Sequence, residues 1–249
     1  MKLIKITRQE AFKYTTQAGI TAVAMEGFLY ANPTVDQIYS DKDYSGLLAF
    51  DENFTLLHSP NENFLSEAYD FVGYDARFNC VDANAAKFLI EKKGAVCFSY
   101  CHILGYVNPN PPLKGRFEVP QNLTLKRIDI KDLDVINDFY TYKSENSRER
   151  LAKEIEERDS SALYDGENIL AWNLLHRDYA MGVMFVPPAQ RGKGYAQIVA
   201  DDLMRKVIAK GKIPYVQIVD GNTPSINLAK KLGFEDIFDA CWLMKHPLK

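Results

Sequence analysis

Between Gly105 and Asn122 the chain carries four prolines, Pro109, Pro111, Pro112 and Pro120, interspersed with Asn108, Asn110 and Gly115. Each proline removes a backbone donor and fixes φ at about −65°, so neither an α-helix nor a central strand passes through such a run. The 249 residues are therefore divided near their middle, and their length is comfortable for two small domains. The expected organisation is an N-terminal domain over 1–107, a Pro-rich linker over 108–122 and a C-terminal domain over 123–249.

After the linker the pattern is α/β. Leu123 to Ile128 alternates apolar and polar residues, as a half-buried strand does, and 130–142 and 147–158 have helical spacing. Residues 161–164 and 169–175 flank the Asp165-Gly166 turn and predict a hairpin. A strand over 179–186 stops at Pro187-Pro188. A helix over 194–209, a strand over 215–219, a helix over 224–232 ending at Gly233, and a last strand through 241–244 complete the half.

The first half follows a related order. It reads as a hairpin (47–50 and 54–57), a helix (63–71), a strand (78–81), a helix (83–92) and a strand (95–100). Val81-Asp82-Ala83-Asn84 matches Val219-Asp220-Gly221-Asn222, and each copy continues into a helix that ends in a lysine pair and glycine. A duplication explains the match, although a match this short also arises by chance. The fold class expected is α/β (α+β): mixed, mostly antiparallel sheets flanked by helices, in two tandem copies.

Composition excludes several functions. A formal charge of −3 gives no basic excess for neutralising phosphates, so no nucleic acid is expected as partner. Met1 to Gln17 lacks the apolar core of a signal peptide, and Ile20 to Tyr30 is interrupted by Glu26 and too short to span a bilayer. The expectation is a cytoplasmic protein with no membrane association, monomeric or homodimeric. Cys97, Cys101 and His102 lack a second ligand pair at metal spacing, so no metal is expected.

The chemistry concentrates in Val186-Pro187-Pro188-Ala189-Gln190-Arg191-Gly192-Lys193-Gly194-Tyr195-Ala196, which joins an apolar strand to an amphipathic helix. Unpaired amides at a helix N-terminus, helped by the helix dipole, make an anion site. Gly192 and Gly194 let the backbone approach a diphosphate. A P-loop would need Ser or Thr after Lys193, and a dinucleotide fingerprint a glycine at Gln197; neither is present. The plainer reading of the same residues is a basic turn with helix-capping glycines.

Arg191-x-x-Gly194-x-Ala196 resembles the Arg/Gln-x-x-Gly-x-Gly/Ala pyrophosphate loop of the GNAT N-acetyltransferase superfamily. Phe185-Val186-Pro187 resembles the strand that precedes that loop, and Asn222-x-x-Ser225-x-x-Leu228 with Leu232-Gly233-Phe234 resembles the helix and strand that follow. The resemblance covers about 123–249, and the tandem arrangement looks most like the glycine N-acyltransferase-like branch. It implies an acyl-CoA-dependent N-acyltransferase that moves an acetyl or other short acyl group from acetyl-CoA, or another acyl-CoA, to an amine on a small molecule or peptide. The main chain of Phe185 and Val186 would pair with the pantetheine arm. The amides of Gly192, Lys193, Gly194, Tyr195 and Ala196, beside Arg191, would hold the pyrophosphate, and Asn222 and Ser225 would complete the cofactor site. The first copy has no glycine between Phe54 and Phe64, so it is expected to be degenerate and not to bind CoA there.

Where the family carries a glutamate base and a tyrosine acid, this sequence has Ala180 and Ala229. Asp178, two residues before Ala180, is the candidate catalytic base. The empty acid and base positions keep open a second function, a non-catalytic acyl-CoA-binding sensor or regulatory module.

Overall fold

The computed structural model describes residues 2–112 and 114–246. Leu113 of the expected linker, and Met1 and 247–249 at the ends of the expected domains, lie outside the described residues. The chain separates into two compact units. One comprises the described parts of Met1–Leu104, Gln217–Thr223 and Asp236–Lys249; the other comprises those of Gly105–Val216 and Pro224–Glu235. The first changeover falls at the head of the Pro-rich run. The second unit differs from a contiguous 123–249 because the late strands of the chain pair into the sheet of the first unit.

In the first unit, β1 (Ile4–Lys5), α1 (Arg8–Ala18), α2 (Val23–Ala31), β2 (Gln37–Ser40), β3 (Leu47–Phe50), β4 (Thr55–His58), α3 (Glu62–Phe71), β5 (Arg77–Asp82), α4 (Ala83–Lys93) and β6 (Val96–Gly105) follow in order. Side chains start the helices. Thr7 and Glu10 form a reciprocal capping box on α1. Asn61 accepts from the amides of Asn63 and Phe64 at α3, and Asp82 from those of Asn84 and Ala85 at α4.

β11 (Tyr215–Val219), from Gln217 onward, and β12 (Glu235–Met244), from Asp236 onward, complete an eight-stranded sheet ordered β1-β2-β3-β4-β5-β12-β6-β11. Its β4–β5 pair is parallel, whereas β1–β2, β2–β3, β3–β4 and β5–β12 are antiparallel. Phe64, Ala68, Phe78, Val81, Leu89 and Leu243 pack the core beneath it.

The second unit holds β7 (Thr124–Lys126), α5 (Leu133–Asp138), α6 (Ser147–Glu157), β8 (Ser160–Asp165), β9 (Asn168–Leu175), β10 (Met181–Phe185) and α7 (Tyr195–Ala209), with most of α8 (Thr223–Lys231). Its sheet is antiparallel throughout in the order β10-β9-β8-β7, so β10 is an edge strand. One core gathers Ile136, Leu151, Ile155, Tyr164, Trp172 and Leu174 under α5 and α6, and another joins Leu163 and Ala171 to Ile198 and Val199 of α7.

The helix expected over 130–142 is shorter, a 3-10 turn (Ile130–Asp132) followed by α5. It ends where Phe139 turns to stack on Phe185, ring centroids 4.7 Å apart. The Pro-rich run is docked rather than free. Phe117 and Val119 pack on the α7 core, and Arg116 reaches Asp201 on α7.

Candidate functional site

Strand β10 does not pair evenly with β9. Gly182 lies opposite Leu174 and Phe185 opposite Trp172, so β10 uses one residue more than its partner between these pairs. This is a β-bulge, and it falls on Val183, whose φ of 47° is in the left-handed region. A β-branched residue there is strained, and bulges of this kind redirect main-chain groups at an edge.

Beyond Phe185 the chain enters a 3-10 turn (Pro188–Gln190) and then the loop that starts α7. Gly192 and Gly194 have φ of 79° and 81°, and Gly194 is the N-cap of the 15-residue helix. A glycine cap has no side chain to bind the first-turn amides. Gln197 and Ile198 donate back to the Gly194 carbonyl, but among the described residues the amides of Gly192 to Ala196 make no hydrogen bond. The loop is exposed from Arg191 to Gly194. A Cβ at Gly194 would meet only Oε1 of Gln197, at 3.8 Å, so the cradle is open. Unbonded donors at the positive end of a helix suit a diphosphate, and these residues fit that of an acyl-CoA.

The strand-to-helix passage of the first unit, β4 to α3, behaves differently. Asn61 occupies the first amides of α3 with its own side-chain oxygen. The donors that α7 leaves open are satisfied internally there.

The other candidate residues, together with Lys206, Lys210 and Cys241, lie as follows. Arg191 donates Nε to the Val186 carbonyl at 3.1 Å and covers the Phe185 ring, while Lys193 donates to Gln190 at 2.8 Å. Tyr195 packs against the α7 core. Lys206 donates to the Ser160 carbonyl and pairs with Asp202, and Lys210 pairs with Asp159. Asn222 closes the turn after β11 by donating its amide to the Val219 carbonyl at 3.1 Å, and belongs to the first unit; Ser225, on the first turn of α8, belongs to the second. Cys241 lies in the first-unit core, where burial pushes its thiol up to about 12.

Asp178 sits in the turn between β9 and β10 and is buried at 2% exposure. Its Oδ1 accepts the Ala180 amide at 3.2 Å and its carbonyl accepts the Tyr215 hydroxyl at 2.6 Å. Facing this turn is a group that sequence reasoning passed over. Glu154 of α6 is buried, with Oε1 3.6 Å from Arg158 and Oε2 3.9 Å from Nδ1 of His176. Burial raises its carboxyl to about 7 against the pull of Arg158 and Arg150. Arg150 also covers the Tyr140 ring and donates to its hydroxyl.

Among the described residues no cluster of His, Cys, Asp and Glu could hold a metal, and no helix is long and apolar enough to cross a membrane.

Residues 160–243 match the family model described as FR47-like protein. None of the curated proteins matches the chain. Its fold is that of the GNAT acetyltransferases. A Drosophila protein of known crystal structure aligns with a TM-score of 0.73 at 15% identity, covering 97% of both chains. A tandem GNAT protein from the clavulanic acid biosynthesis pathway aligns at 0.58 and 11% identity over 100% of this chain and 99% of that one. An acetyltransferase of the GNAT family from Colwellia psychrerythraea aligns at 0.53 and 13% identity, covering 98% of both.

Proposed function

We propose that this chain is an acyl-CoA-dependent N-acyltransferase that transfers an acetyl or other short acyl group to an amine on a small molecule or peptide. The observation that carries this reading is the run of unbonded amides from Gly192 to Ala196 at the N-terminus of α7, directly after a bulged edge strand. In this reading the diphosphate lies on those amides. The pantetheine arm extends along the outer edge of β10 at Phe185 and Val186, as an added strand would. Asn222 and Ser225 are proposed as further contacts to the cofactor, and 123–249 as the acyl-CoA-binding catalytic domain.

The tandem reading, like the glycine N-acyltransferase-like branch, belongs to the same proposal. Its support is the strand order β5-β12-β6-β11, which maps onto itself when β5 exchanges with β11 and β6 with β12. β5 and β6 bracket α4, entered from Asp82, and β11 and β12 bracket α8, entered just after Asp220. The first copy is degenerate at its cradle, where Asn61 has taken the amides. A cytoplasmic monomer or homodimer remains the expected form.

The test is calorimetric titration with acetyl-CoA, followed by thiol release in the presence of primary amines. Binding with thiol release supports the enzyme. Binding without release at any amine supports the second reading, a non-catalytic acyl-CoA sensor, which Ala180 and Ala229 favour by leaving the base and acid positions empty. Absence of binding overturns both.

A further inference from the structure

A buried carboxylate with an unoccupied oxygen is costly, because a desolvated acceptor loses its water without gaining a donor. Glu154 is in this position: Oε2 accepts no hydrogen bond, although the side chain is only 3% exposed. What it faces is Nδ1 of His176. The imidazole lies over Gly182, where a Cβ would overlap its Nε2 and Cδ2, so residue 182 is a glycine to make room for this ring. Gly182 in turn adjoins the Val183 bulge. The ring is held by a tight turn in which His176 donates its amide to Ala180 and accepts that of Tyr179, both at 2.9 Å. About a third of the His176 side chain remains exposed.

Resting on the acyltransferase reading above, we propose that His176 is the catalytic base, accepting the amine proton at Nε2, and that Glu154 is the positioning residue that holds its Nδ1 side. From Val186 back to Gly182 the edge of β10 covers roughly 13 Å at about 3.3 Å per residue, so an arm laid along it from the phosphate loop brings the thioester to the bulge beneath this ring. The amine nitrogen attacks the thioester carbon and a C–N bond forms as the carbonyl electrons move to oxygen. An acceptor that arrives as an ammonium first loses one proton to His176 Nε2, which passes it to solvent. His176 Nε2 then takes the proton that the nitrogen loses as the C–N bond forms; a neutral acceptor needs only the second transfer. As the C–S bond breaks, the electron pair leaves with sulfur, and the imidazolium returns the proton to that thiolate. The products are the amide and the free thiol, with His176 restored.

Burial, then the guanidinium groups of Arg150 and Arg158, lower His176 to about 4, neutral at pH 7 but a weak base, so its proton affinity in the reaction has to come from an ionised Glu154 beside Nδ1. Glu154, at about 7, is the nearby group whose ionisation favours the imidazolium; it is itself faced by Arg158, Arg150 and Arg177 and, with the opposite sign, by Asp178. The 3.9 Å separation is long for a hydrogen bond, and catalytic contacts often tighten only when substrate binds.

The test compares wild type, His176→Gln and Glu154→Gln at saturating acetyl-CoA, with ethanolamine and with hydroxylamine as acceptors. Ethanolamine is mostly protonated at pH 7 and needs a base, whereas hydroxylamine is neutral. His176→Gln should lower thiol release with ethanolamine by roughly 10²–10⁴-fold and with hydroxylamine by less than about tenfold. Acetyl-CoA affinity, measured by titration, should be unchanged. Glu154→Gln should remove the rise in rate near pH 7. A His176→Gln variant that binds acetyl-CoA and keeps its full ethanolamine rate overturns the proposal. A wild type that does not bind acetyl-CoA overturns the acyltransferase reading instead. If the wild type binds but acylates neither amine, the ¹⁵N shifts of His176 decide. The proposal requires the proton on Nδ1 and a free Nε2, and the opposite tautomer overturns it.

Discussion

Arg116, in the Pro-rich run, donates Nε to Oδ1 of Asp201 on α7 at 2.6 Å and its own backbone amide to Oδ2 at 3.1 Å. Asp201 is 2% exposed and also pairs with Arg205 one turn along, while Arg116 donates a second guanidinium nitrogen to the Leu232 carbonyl. One buried carboxylate thus ties the Pro-rich run to the helix whose N-terminus forms the proposed cradle.

Removing that carboxylate leaves two guanidinium groups facing a buried gap. Breaking a buried pair from one side costs about 3–5 kcal/mol, more than the pair itself contributes. Asp201→Ala should lower the unfolding free energy by roughly 3 kcal/mol in urea titration. A loss under about 1 kcal/mol would show that solvent already carries these charges.

The folded protein raises Glu154 from an ordinary 4.5 to about 7, so the native state holds its proton longer than the unfolded chain. Stability from this group is therefore lost as pH rises between about 4.5 and 7, by roughly 3 kcal/mol in all. His176 acts with the opposite sign. Its native value of about 4 lies below its ordinary 6.5, so its contribution is gained as pH rises between those values. Comparing variants separates the two: Glu154→Gln should match wild type in unfolding free energy at pH 5 and exceed it at pH 8. A gap that does not change with pH would contradict the raised carboxyl.

Asp178 was the catalytic candidate in the sequence, and its carboxylate accepts a main-chain amide in a buried turn. With His176 as base, Asp178→Asn should keep the transfer rate within about fivefold, because an amide oxygen can still accept from Ala180. A fall of 10²–10⁴-fold with unchanged acetyl-CoA affinity would return the role to Asp178.

In the first unit, Asn61→Ala should cost about 1 kcal/mol of stability by uncapping α3. Acetyl-CoA affinity should not change, since α3 takes no part in the proposed cradle. A change in affinity would mean that the first unit also takes part in binding the cofactor.

Legibility followed the locality of each signal. The loop Arg191 to Ala196 and the strand Tyr215–Val219 could be read directly, because glycines, prolines and apolar periodicity act within a few residues. The first forty residues were not read as α1, α2 and β2, since Arg8–Ala18 is largely polar with only Ala11, Tyr14 and Thr15 buried. The bulge at Val183 depends on register against Leu174 and Trp172, which only the paired strands reveal. Glu154 and His176 lie on separate elements, and a glutamate on a charged helix such as 147–157 reads as a solvated face. Gly182, inside an apolar strand, was the one available hint that something presses on β10 there.

Whether the second unit holds a diphosphate on the Gly192 to Ala196 amides is tested most directly by titrating acetyl-CoA into wild type and Gly194→Asp. At φ of 81° any side chain costs about 1–2 kcal/mol, and aspartate adds a negative charge where the phosphates should sit. Circular dichroism establishes that the variant is folded. The expected result is binding by wild type and affinity more than tenfold weaker in the folded variant. Equal affinity in the two proteins, or no binding by wild type, would contradict the cradle.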